Sequence, residues 1–213
     1  MDSFIYLHGF ASSPQSSKAQ YMRDRFAELQ IDLKIPDLNQ SDFSHLTITR
    51  QLRQVKAEFP LKEGVPVTLI GSSLGGLTAA WLGERHLQVK RLVLLAPAFQ
   101  FLFHWCRELG EEKLQRWQAE QYLMVYHYCE GRSLPLSYEF ILDAAQYQDE
   151  HLVRPMPTLI MHGQHDEVIP LQASRDFAAQ RPWVKLIELH SDHALSDVLP
   201  QIWEAIRAFC QLP

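Results

Sequence analysis

Cysteine is scarce in this chain. Cys106, Cys129 and Cys210 form an odd, widely spaced set, which excludes a disulfide framework and points to a reducing compartment. Long hydrophobic runs are missing too. The best, Leu92 to Phe99, is too short to cross a bilayer as a helix and contains Pro97. The amino terminus shows no positively charged region leading into an apolar stretch, and Phe4–Leu7 reads as a strand already inside a fold. No secretory signal is therefore expected, and a cytoplasmic location is. Positive charge is neither abundant nor clustered. Twenty Lys and Arg stand against 25 Asp and Glu, for a net charge of −5 and a sequence pI near 6.0. The bases are scattered singly, so the chain lacks the stripe with which a nucleic-acid binder displaces counterions. Internal repeats and low-complexity tracts are absent as well.

Apolar material is plentiful: 46% of the 213 residues are hydrophobic and 21% charged, which excludes wholesale disorder. The length suits one large domain over residues 1–213, or a core with an insertion, and is short for two.

Short runs rich in branched residues recur at Phe4–Leu7, Leu33–Ile35, Val67–Ile70, Leu92–Leu95, Thr158–Met161 and Val184–Leu189. Their continuity suits strands buried on both faces, as in a parallel sheet. Between them apolar residues fall three or four apart: Ala19, Met22, Phe26 and Leu29; Ile48, Leu52, Val55 and Phe59; Val198, Ile202, Ile206 and Phe209. Each set makes one stripe of a helix. Pro60 marks one helix stop, and the serines of Ser12–Ser17 suit a loop leading into a capped helix. The expected fold is α/β, a mostly parallel sheet of about six strands flanked by helices, with ligands bound beyond the strands' carboxyl ends.

The alternation breaks between about residues 98 and 152, where no strand is expected. This stretch holds eleven of the chain's 23 aromatic residues. Helices are expected over Glu111–Met124 and Tyr138–Tyr147. A helical lid insertion over a binding site is the functional reading. A helical layer with its own small core is the structural one. Phe99, Phe103 and Trp105 are the candidate substrate-pocket residues.

The sharpest motif is Gly71-Ser72-Ser73-Leu74-Gly75, between the strand Val67–Ile70 and a helical segment beginning near Leu77. This G-x-S-x-G strand–turn–helix pattern places Ser73 at a tight elbow, where bulky neighbours would collide. Ser72 is a less suitable nucleophile by register. Serine needs a base, and the base an orienting acid. Asp166 follows the strand Thr158–Met161, and His193 follows Val184–Leu189, in the order this architecture requires. Glu167 and His190 are the alternatives. Val168-Ile169-Pro170 starts the next helix at a suitable distance from Asp166, and His190 adjoins its strand too closely to reach Ser73. The pairs His162/His165 and His190/His193 also invite a metal reading, but both lie in loops without a cysteine or an H-E-x-x-H helix. No metal is expected. An acyl-transfer serine also needs two backbone N–H donors for the developing oxyanion. The Leu74 N–H is one candidate, and the Phe10 N–H, from His8-Gly9-Phe10 after the first strand, is the other.

These pieces resemble the α/β-hydrolase superfamily over nearly the whole chain. The segment from His8 to Ala19 (HGFASSPQSSKA), together with Gly71–Gly76, is similar to small bacterial esterases of the YqiA type. The resemblance implies a Ser–Asp–His hydrolase without a cofactor, acting on a small-molecule carboxylic ester or acyl thioester. Relative to the full superfamily sheet the chain starts at the third strand, giving about six strands rather than eight. The 98–152 insertion is longer than expected for the small esterases. The same triad also serves carbon–carbon bond hydrolases and lyases, and a non-catalytic ligand-binding module of this fold is the third reading.

Overall fold

A computed structural model describes residues 2–62 and 64–213. Among the described residues, six parallel strands form one sheet. They are β1 (Ser3–Leu7), β2 (Leu33–Lys34), β3 (Val67–Ser72), β4 (Val89–Leu95), β7 (Thr158–Gly163) and β8 (Val184–Leu189), in the spatial order β2-β1-β3-β4-β7-β8. Their unbroken apolar runs serve two cores. Ile5, Leu7, Leu69, Leu92, Leu94 and Ile160 face one side, and Phe4, Tyr6, Ile70, Val93, Leu95, Leu159 and Met161 the other. This is the period-two alternation of a strand with apolar layers on both faces.

Helices supply those layers. α1 (Ser17–Glu28) and α8 (Leu199–Cys210) cover one face with Met22, Phe26, Ile202 and Ile206. α2 (Ile48–Ala57), α3 (Leu74–Arg85) and α7 (Leu171–Ala179) cover the other. Ser16 caps α1 by accepting the Ala19 N–H, and Thr47 caps α2 by accepting that of Arg50. The chain steps outward from β1 to β2 and then crosses back to β3, so β1 and β3 flank the point where strand order reverses. A crevice opens at the carboxyl ends of such a pair. His8-Gly9-Phe10 and Ser73 both stand there.

The 98–152 segment is not wholly helical. α4 (Phe101–Leu109) and α5 (Glu111–Glu120) are followed by an antiparallel hairpin, β5 (Tyr122–His127) with β6 (Arg132–Ser137), and then by α6 (Glu139–Ala144). The helix expected over Glu111–Met124 ends at Glu120, because Gln121 turns left-handed at φ +65° and pairing starts at Tyr122. Tyr122, Met124 and Tyr126 point outward while Leu123, Val125 and His127 point in. That is a strand's alternation, hidden by side chains that are apolar on both faces. Among the described residues no helix is long and apolar enough to cross a membrane.

Candidate active site

Ser73 sits between β3 and α3 at φ +53° and ψ −119°, a conformation that side-chain-bearing residues rarely adopt. Such strain costs about 1–3 kcal/mol and persists only where surrounding bonds impose it. They do here. Ser73 N–H donates to the Leu95 carbonyl (2.9 Å), and the Ser73 carbonyl accepts N–H groups from Gly76 (2.9 Å), Leu77 (3.2 Å) and Ala98 (3.0 Å). Glycine is required on both sides. A Cβ on Gly71 would run into the Gly75 carbonyl, and one on Gly75 into the carbonyls of Leu7 and His8.

His193 Nε2 lies 3.1 Å from Ser73 Oγ, and His193 Nδ1 lies 2.7 Å from Asp166 Oδ2. The carboxylate fixes the tautomer: Nδ1 carries the proton, leaving Nε2 free to accept from the serine hydroxyl. The Asp166 side chain is fully buried. Burial alone would raise its pKa, but hydrogen bonds from His162 and His193 outweigh it and hold the carboxyl well below the usual range. Oδ1 accepts the N–H groups of Val168 (2.9 Å) and Ile169 (2.8 Å). The two loops are tied together by Gln164 N–H to Leu189 O (2.7 Å) and His165 N–H to Ser191 O (3.0 Å). Gly163 permits this approach, since a Cβ there would meet the carbonyls of Ser191 and Asp192.

The oxyanion candidates flank the serine. Leu74 is the first residue of α3, so its N–H is among the helix's unpaired first-turn donors. A Cβ built on Gly9 would stand 3.4 Å from Ser73 Cβ, which puts the 8–10 loop against Ser73. Among the described residues neither the Leu74 nor the Phe10 N–H is taken by an acceptor. Lys18, in the first turn of α1, adds charge behind the acid. Burial pulls its amine down to about 8, against the opposing influence of Asp166 and Asp192.

The alternatives fall elsewhere. Ser72 is buried beside the Tyr6 hydroxyl, and Glu167 is exposed. His190 pairs with His165 instead (Nδ1 to Nε2, 3.0 Å), across the two sequence pairs that suggested a metal site. The three pocket candidates are dispersed. Phe99 is 1% exposed and stacked on Phe177 at 4.0 Å between ring centres, while Phe103 is 63% exposed on α4. Of the three, Trp105 approaches the 8–10 loop, 5.6 Å from the Phe10 ring and packed on Phe101 and Phe140. A cavity of about 540 Å3 lies beside this cluster, walled by Ile48, Leu77, Phe101, Phe103 and Tyr147. A larger hollow of about 950 Å3, lined by Lys56, Arg85 and Arg91, lies at the opposite, amino-terminal ends of the strands.

Sequence reasoning missed His162 as a support for Asp166. Fully buried at the end of β7, it offers Nε2 to Asp166 Oδ2 and to the Ile169 carbonyl (both 3.0 Å), while Nδ1 bonds Ser174 Oγ at 2.8 Å. Its position inside a buried strand was the one available signal.

The sequence matches the model of "Uncharacterised protein family (UPF0227)" over residues 3–211. The chain belongs to this family. Several solved structures share the UPF0227 chain's fold, which is that of the α/β-hydrolase superfamily. Alpha/beta hydrolase domain-containing protein 10 from mouse is 21% identical, with a TM-score of 0.80 over 98% of this chain and 89% of its own. Est1E from Butyrivibrio proteoclasticus is 22% identical, with a TM-score of 0.79 over 99% of this chain and 87% of its own. Est1E with ferulic acid bound superposes at 0.81, with 21% identity over 99% of this chain and 88% of its own.

Proposed function

We propose that the protein is a serine hydrolase cleaving carboxylic esters or acyl thioesters. The observation that carries this reading is the unbroken relay from Ser73 Oγ through His193 to Asp166, at 3.1 and 2.7 Å. Ser73 Oγ attacks the acyl carbonyl as His193 Nε2 takes its proton, and Asp166 stabilises the imidazolium. The Leu74 and Phe10 N–H groups receive the negative oxygen of the tetrahedral intermediate. Collapse expels the alcohol or thiol, which takes the proton back from His193 and leaves an acyl-Ser73. Water, deprotonated by the same imidazole, releases the acid and restores the serine.

The aromatic residues of the insertion beside Phe10 support a lid role within a single hydrolase domain. With Est1E having been solved in complex with ferulic acid, they also favour aromatic or apolar acyl groups over small polar ones. Three free thiols support a cytoplasmic setting. A fluorophosphonate probe read by intact mass tests the reading. One adduct is expected, absent from Ser73→Ala and followed by turnover in an ester and thioester panel. No adduct on folded protein would sink it.

A further inference from the structure

The loop that brings Phe10 to Ser73 is held from the insertion as well as from the sheet. Ala11 stands at φ +50°, and its carbonyl accepts the N–H of Tyr128, the residue just past β5 (3.1 Å). The next carbonyl, Ser12 O, accepts Asn39 Nδ2 at 2.7 Å, and that same nitrogen lies 3.2 Å from His127 Nε2. Asn39 and His127 are both buried. The His127 ring meets Phe43 edge-on at 5.0 Å, and Phe43 packs on Phe10 at 5.5 Å.

The hydrogens can be assigned. Asn39 Nδ2 has two, one for Ser12 O and one for His127 Nε2, which must therefore be bare. The neutral ring then carries its hydrogen on Nδ1, and the Glu130 N–H is taken by the His127 carbonyl at 3.1 Å. An imidazolium would set a second hydrogen, on Nε2, against the Asn39 amide. Among charged neighbours, Glu130 in the hairpin turn and Asp37 before Asn39 favour protonation, and His8 opposes it. Burial is the dominant influence and lowers the His127 pKa.

We propose that His127 and Asn39 are positioning residues that latch the hairpin to the oxyanion loop, so that the insertion sets where the Phe10 N–H stands. The inference rests on the serine-hydrolase reading for its kinetic consequence, but the latch itself does not. The test compares His127→Ala, His127→Gln and Asn39→Ala with the wild type by ester kinetics and by amide exchange across residues 125–131, where the Tyr128 N–H donates to the Ala11 carbonyl. A lost oxyanion donor costs about 10² to 10³ in turnover, so a displaced one should lower kcat by about tenfold to a hundredfold, with KM changing less than about threefold. Exchange of the Tyr128 amide should rise in the two alanine variants. His127→Gln, whose Oε1 can accept from Asn39, should restore kcat and protection. Unchanged kcat in folded His127→Ala or Asn39→Ala would overturn the proposal, whatever the exchange shows. If the wild type turns over no ester, the hydrolase reading fails separately. Exchange then decides the latch: a rise in the alanine variants supports it, and wild-type protection overturns it. Should His127→Ala not fold, Asn39→Ala carries both readouts.

Discussion

Replacing Asp166 by asparagine tests the relay at its least obvious atom. Oδ1 is held by two backbone donors, Val168 and Ile169 N–H, at 2.9 and 2.8 Å. An asparagine must keep its carbonyl oxygen there, because its amide group would oppose both. The NH2 therefore occupies the place of Oδ2, 2.7 Å from His193 Nδ1. It donates to Nδ1, which becomes the bare nitrogen, and the ring proton moves to Nε2. Nε2–H then faces Ser73 Oγ and cannot take its proton. In a serine protease the corresponding change lowers kcat about 10⁴-fold, which at 1.36 kcal/mol per decade is about 5 kcal/mol of transition-state stabilisation. We expect a fall of about 10³ to 10⁴ here on the same basis. Stability should suffer far less. His162 Nε2–H keeps the Ile169 carbonyl at 3.0 Å when it loses the carboxylate, so the cost is about 1–3 kcal/mol. Initial rates on an activated ester, the rate of fluorophosphonate labelling and a thermal melt separate the two effects. Imidazole ¹⁵N shifts report the tautomer directly. A folded variant that loses less than about tenfold in kcat, or whose His193 keeps its proton on Nδ1, would refute the reasoning.

The depressed Asp166 pKa gives stability that is present above the unfolded carboxylate range, near 4, and lost as pH falls below it; in acid melts the stability gap between wild type and Asp166→Asn should narrow as pH falls. Asp149 acts with the opposite sign. Burial raises its carboxyl to about 6, so stability falls as pH rises from about 4 to 6, by up to roughly 2 kcal/mol after solvent screening. Asp149→Asn should abolish that slope in thermal melts, and an unaltered slope would assign it to another group. Gly75→Ala should cost at least about 2–3 kcal/mol in urea unfolding, since the new methyl meets backbone carbonyls that cannot rotate away; a loss under about 1 kcal/mol would mean the elbow is looser than its bonds imply.

The sheet was legible because each buried strand wrote its burial directly into its composition. Val93 and Leu94 are adjacent in sequence yet belong to different cores, and both must be apolar, so a continuous run is the only pattern a doubly covered strand allows. The site's placement followed from the same runs. Ser73, Asp166 and His193 each stand just past one, and the sheet gathers those ends in space. His162 was hidden by the same logic. It lies inside the last turn of a buried strand, and nothing local distinguishes a histidine that braces a carboxylate from one that merely fills space.

The insertion resisted reading for a different reason. Its residues pack on each other, on the loop after β1 and on α2, α3 and α7, so their pattern answers to partners distant in sequence. Phe10 is the clearest case: a residue chosen for its backbone N–H carries a ring that meets Phe43, Trp105 and Phe140. One residue thus joins the loop after β1 to α4, α6 and the turn before α2. Phe99 shows the converse. Its aromatic character suggested a pocket, but the chain leaving β4 turns it inward onto Phe177 of α7, where it fixes the start of the insertion against the sheet domain. An aromatic count therefore measures how much surface the insertion must bury. Which rings face a substrate depends on where the hairpin docks, and one sequence trace of that docking is a histidine and an asparagine 88 residues apart.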